Sequence, residues 1–75
     1  MDPKAFEEKM RSFMRRTPFT PFIVKTDAGK LVIIENREAV ALGGGGAAYI
    51  APEEIHFLES QNVLDIYSAE KATAP

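Results

Sequence analysis

The apolar positions change period once along the chain. Near the start, Phe6, Met10, Phe13 and Met14 recur at i, i+4, i+7 and i+8, which draws one stripe along a helix. The spacing predicts a helix over residues 2–16. Asp2 suits the N-cap, and Pro3 suits the first helical position, where its missing N–H costs nothing. Glu7 and Arg11 stand four apart and pair on such a helix. Arg15 and Arg16 fall in its last turn, at the negative end of the helix dipole. Thr17-Pro18 stops it, because proline disfavours helical geometry in the residue before it.

Beyond Pro18 the period becomes two. Strand candidates fall at about 21–26, 30–36, 39–43, 47–51, 55–58 and 63–67. Phe22, Val24 and Thr26 share one face of the first. Asp27-Ala28-Gly29 is hairpin chemistry, with Gly29 at the left-handed position. Leu31, Val32, Ile33 and Ile34 break the alternation, which predicts a strand covered on both faces. In VLDIY, Leu64 and Ile66 are expected inward and Asp65 outward. Residues 59–62 read as a polar turn and 68–75 as a flexible tail. A rhythm of roughly 8–12 residues per strand suggests a small barrel or curled sheet joined as a meander. The expected fold is α+β, mainly β. It has an N-terminal α-helix followed by a five-stranded, strongly bent antiparallel sheet or small SH3- or Sm-like barrel, with the helix laid over one open end.

Size and charge narrow this picture. A chain of 75 residues is one domain, and it buries roughly 60–65% of its unfolded surface, so its stability margin is thin. There is no Cys and one His, so neither a disulfide nor a metal cluster is expected to support it. No cofactor is expected. The lack of Cys fits a reducing compartment. The N-terminus MDPKAFEEKM lacks the apolar core of a secretory signal, and no apolar run is long enough to span a membrane. A cytoplasmic location is expected, with no membrane partner. Residues 1–30 hold seven Lys/Arg and four Asp/Glu, a net +3, and residues 31–75 hold two and seven, a net −5. Such asymmetry steers charged partners or favours self-association.

RRTPFTPFIV (15–24), followed by Asp27, Gly29 and Lys30 and then by AVAL (39–42), resembles a group of short uncharacterised bacterial proteins. Those carry an N-terminal helix, a PFxPFxV start to the first strand, an Asp-Gly turn and a later V-A-L strand. The resemblance covers about residues 10–66 and rests on Pro18, Phe19, Pro21, Phe22, Gly29, Val40 and Ala41. This chain departs from that pattern by inserting Ala28 between Asp27 and Gly29 and by lacking a proline in Asn36-Arg37-Glu38. At the level of architecture the chain is also similar to Sm-like small barrels, which form rings and often bind RNA. That similarity implies a fold and not a function.

Few residues offer chemistry. Arg15-x-x-Pro18-x-x-Pro21 matches a polyproline ligand of SH3 domains, but two prolines between a helix and an edge strand are explained by the fold, with Phe19 and Phe22 plugging the core. GGGG (43–46) lacks the Lys-Ser/Thr or following helix of a phosphate loop and reads as a hairpin whose glycine content implies mobility. Lys4, Lys9, Arg11, Arg15 and Arg16 form the basic face of the helix. The last four are the candidate phosphate contacts, set against a solvated face partly neutralised by Glu7 and Glu8. His56 alternates away from Ile55 and Phe57 and reads as a surface or interface side chain without a paired nucleophile.

The apolar residues outnumber what a chain this short can hide. The sequence therefore predicts a non-enzymatic interaction module, a homo-oligomer or binder of a protein partner, with Val32, Ile34, Tyr49 and Tyr67 as candidate interface residues. RNA binding by an Sm-like ring is the alternative.

Overall fold

A computed structural model of the chain describes residues 1–70. Its elements are α1 (Pro3–Met14), β1 (Phe22–Thr26), β2 (Leu31–Ile34), a 3₁₀ turn (Arg37–Ala39), β3 (Val40–Gly43), β4 (Gly46–Ile50), β5 (Ile55–Glu59), a second 3₁₀ turn (Ser60–Asn62) and β6 (Val63–Ser68). Residues 71–75 of the expected tail lie outside the described residues, whereas Ser68 belongs to β6.

α1 starts where its cap chemistry places it. The Asp2 carboxylate accepts from the backbone N–H groups of Lys4 and Ala5, each at 3.1 Å. Phe6, Met10 and Phe13 are buried, as their spacing requires. Glu7 and Arg11 meet at 3.4 Å. The helix ends two residues before the expected limit, with Arg15 as its C-cap.

The strands form two three-stranded antiparallel sheets, in the orders β2-β1-β6 and β3-β4-β5. Among the described residues, the expected five-stranded bent sheet or small barrel is therefore replaced by six strands in two separate sheets. The break comes at residues 35–39. Asn36 caps a 3₁₀ turn by accepting from the Glu38 N–H at 2.9 Å. This turns the chain between β2 and β3, so that β2 pairs with β1 while β3 pairs with β4.

The core lies between the inner faces of the two sheets and under α1, which touches β6 in one sheet and β4 in the other. Phe22 and Val24 of β1 meet Val32 and Ile34 of β2 and Ile66 of β6 there, joined by Tyr49 and Leu58 from the second sheet. Phe13 stacks on Phe22 at 5.1 Å, and Phe19 meets Phe22 edge-on at 6.2 Å. The double Thr-Pro-Phe thus delivers two rings to the core, as expected.

Two inward assignments differ from expectation. The register of β6 slips against β1 between Lys25 and Thr26, a β-bulge that sets Val63 opposite Thr26 and Asp65 opposite Lys25. Val63 and Ile66 are therefore the inward residues, and Leu64 is 59% exposed. In β2 only one face is covered. Val32 and Ile34 are buried, while Leu31 and Ile33 remain half exposed. Among the described residues no helix is long and apolar enough to cross a membrane.

Candidate functional site

The site is built by the phase of three strands. Gly44 and Gly45 form a two-residue hairpin turn between β3 and β4, with φ of 61° and 78°. This short turn fixes the register at Leu42 opposite Ala47 and Ala41 opposite Ala48. Ala48 in turn lies opposite Phe57, and Ile50 opposite Ile55. Since side chains alternate, Leu42, Ala47, Tyr49, His56 and Leu58 face the core side. Ala41, Ala48, Phe57, Ile50 and Ile55 share the other face.

That outer face is apolar and largely uncovered. Phe57 is 78% exposed, and Ile50 and Ile55 are more than half exposed. Beside Phe57 the surface is low, because Ala41, Ala48, Gly43 and Gly46 have little or no side chain. They border a shallow open hollow of ≈ 400 Å³, with Phe57 and Glu59 on its rim. One ridge and one trough therefore lie side by side on a single sheet face. A second exposed apolar strip runs along the outer face of the other sheet, where Leu31 and Ile33 of β2 flank β1.

The interface residues expected from the sequence are placed differently. Val32, Ile34 and Tyr49 are core residues of this chain, because they point to the inner faces of their sheets. The Tyr49 hydroxyl accepts from the Glu35 N–H at 3.2 Å, which ties β4 to the end of β2. Tyr67 is half-buried on the outer face of its sheet, opposite Ile23. His56 is turned inward instead of outward. Its ring stacks on Tyr49 at 6.2 Å, its side chain is 15% exposed, and Nε2 stands 3.4 Å from a Glu54 carboxylate oxygen.

The basic face of α1 is largely engaged. Lys9 meets Asp65 at 3.4 Å and Arg11 meets Glu7. The Arg16 guanidinium lies 4.3 Å from the centre of the Phe13 ring. Arg15 is exposed at the C-cap. Neighbouring carboxylates thus offset the charge that a phosphate-binding surface concentrates. Among the described residues no group of three or more His, Asp or Glu is gathered as a metal ion requires.

The GGGG hairpin meets its neighbours at Gly45 and Gly46. Ser60 donates its backbone N–H to the Gly45 carbonyl at 2.9 Å. A Cβ on Gly45 would stand 3.0 Å from the Pro3 Cβ, and one on Gly46 would stand 3.0 Å from the Leu58 carbonyl. Gly45 is thus wedged between the start of α1 and the second 3₁₀ turn, and the close approach at Gly46 accounts for a glycine that turn geometry alone does not require; Gly43 has open space around it.

The residues that make the outer face escape period analysis for a specific reason. IHFL places apolar residues in both phases, Ile55 and Phe57 against Leu58, so alternation does not decide which face is inward. The usable signal is the two-residue turn, which places Ala41 opposite Ala48 once the central pair is taken as Gly44-Gly45. Comparison with known proteins finds no matching family model, no matching curated protein and no matching solved structure.

Proposed function

We propose that this chain is a small non-enzymatic interaction module that associates with itself. The observation that carries the reading is the exposure of Phe57, Ile50 and Ile55 together on one face of the β3-β4-β5 sheet. Contiguous exposed apolar side chains on a domain this small mark an association surface, since water contact with them is unfavourable and burial against a partner relieves it. The pairing of Lys9 and Arg11 with carboxylates supports this reading over nucleic-acid binding. Sedimentation equilibrium over a range of protein concentrations tests it. The expected result is an apparent mass that rises from 8.3 kDa toward an integral multiple. A constant 8.3 kDa up to millimolar concentration would defeat the proposal.

A further inference from the structure

The self-association just proposed leaves open which face is used and how two copies meet; this inference rests on that reading. We infer that two copies pack the outer faces of their β3-β4-β5 sheets together about a two-fold axis parallel to the strands, seating Phe57 of each over Ala41 of the other.

The argument is geometric. A cross-strand row runs Ala41, Ala48, Phe57 across β3, β4 and β5. It is low at one edge of the sheet and tall at the other. A two-fold interface brings one patch against itself, so a self-complementary patch must carry both a projection and a recess to receive it. Rotation about an axis parallel to the strands, above β4, exchanges the two edges. Phe57 then stands over Ala41 of the second copy, and Ala41 lies under the second Phe57. Face-to-face sheets sit about 10 Å apart, a gap filled by large side chains opposite small ones. The same rotation brings Ile50 against Ile50 and extends the contact along β4. An axis perpendicular to the strands would instead set Phe57 against Phe57 and leave the hollow empty.

The area of the patch sets the strength. Phe57, Ile50 and Ile55 at these exposures, with two alanines, offer on the order of 400 Å² of apolar surface per copy, given full side-chain values near 150–250 Å² for a ring. A standard stable interface buries about 800 Å² per partner. At about half that area the contact belongs with weak, transient interfaces, and the dimer is reversible.

Four proteins test this by sedimentation equilibrium, with circular dichroism to verify folding: the wild type, Phe57→Lys, Ala41→Glu, and the double variant Leu31→Ser/Ile33→Ser. All substituted side chains are exposed, so each variant is expected to fold. The wild type and the double variant should dimerise. Phe57→Lys and Ala41→Glu should each remain monomeric alone, with dissociation constants raised at least tenfold. An equimolar mixture of those two should dimerise again, because one of its two Phe57–Ala41 contacts is wild type and the other pairs an ammonium with a carboxylate. A Phe57→Lys variant as dimeric as the wild type would overturn this inference. So would a mixture that stays monomeric. Loss of association only in the double variant would place the interface on the β2 side, overturning the inference but preserving self-association. A wild type that never associates would overturn both.

Discussion

Arg37 sits in a polar linker that suggests no role, yet it holds the end of α1. One guanidinium nitrogen donates to the carbonyls of Met14 and Arg16, each at 3.2 Å. The guanidinium also lies 5.9 Å from the centre of the Phe19 ring. The last carbonyls of a helix lack partners within it, so a cation there satisfies them and faces the negative end of the dipole. Arg37→Ala should lower unfolding stability by about 1 kcal/mol in urea titration, since the bonds are exposed. Arg37→Lys should recover less than half of the loss, because an ammonium lacks the planar group that bonds and stacks together. Equal stability of Arg37→Lys and wild type would show that charge alone acts there. Asp2, Pro3 and the Glu7–Arg11 pair were legible in the sequence because their partners lie within four residues. Arg37 was not, because its carbonyl partners lie more than twenty residues away and are brought to it by the fold.

Among the elements, the β3–β4 hairpin separates two kinds of glycine. Gly45 has φ 78°, and a Cβ there would also crowd Pro3; Gly43 has open space around a Cβ and no positive φ. Gly45→Ala should therefore cost about 1–2 kcal/mol from the left-handed backbone alone, with further loss from the Pro3 contact. Gly43→Ala should be neutral or stabilise by up to about 1 kcal/mol, by reducing unfolded-chain freedom. Thermal melts of the two variants at one low concentration check both signs. The same hairpin shows what periodicity reveals. Helix, strands and turns were placed to within two or three residues, because a change of period from 3.6 to 2 is a property of neighbouring positions. The inward face of β5 and β6 was not fixed by it. In β5 both phases are apolar, and in β6 a bulge shifts the phase midway, so Leu64 and Val63 exchange the places that strict alternation assigns. Sheet number likewise depended on whether β2 would pair with β3, which a meander assumes; instead β2 pairs with β1 and β3 with β4, on either side of the 3₁₀ turn that Asn36 caps.

For the whole molecule, the balance between core and surface decides the outcome. The sequence offered more apolar residues than one small domain hides, and the surplus is now located: Leu31 and Ile33 on one sheet, Ile50, Ile55 and Phe57 on the other, and Leu64 at the bulge. The excess was legible by counting; its position was not, because Val32, Ile34 and Tyr49 carry the same apolar character and differ only in the direction they point. This surplus couples association to stability. A partner that binds the folded chain and not the unfolded one stabilises it by RT ln(1 + [L]/Kd), which is about 1.4 kcal/mol at ten times the dissociation constant. A domain of this size moves its melting midpoint by about 4–8 °C per kcal/mol. The wild-type midpoint should therefore climb by about 6–11 °C between concentrations well below and about tenfold above that for dimerisation. Phe57→Lys should melt at one temperature across the same range, near the wild-type value at high dilution, because its substituted side chain lies outside the core. A low midpoint for Phe57→Lys at every concentration, beneath that of dilute wild type, would show that Phe57 supports the monomer and that its exposure has another cause. Scanning calorimetry at several concentrations of the two proteins separates these outcomes, since a monomer's midpoint does not depend on how many copies share the solution.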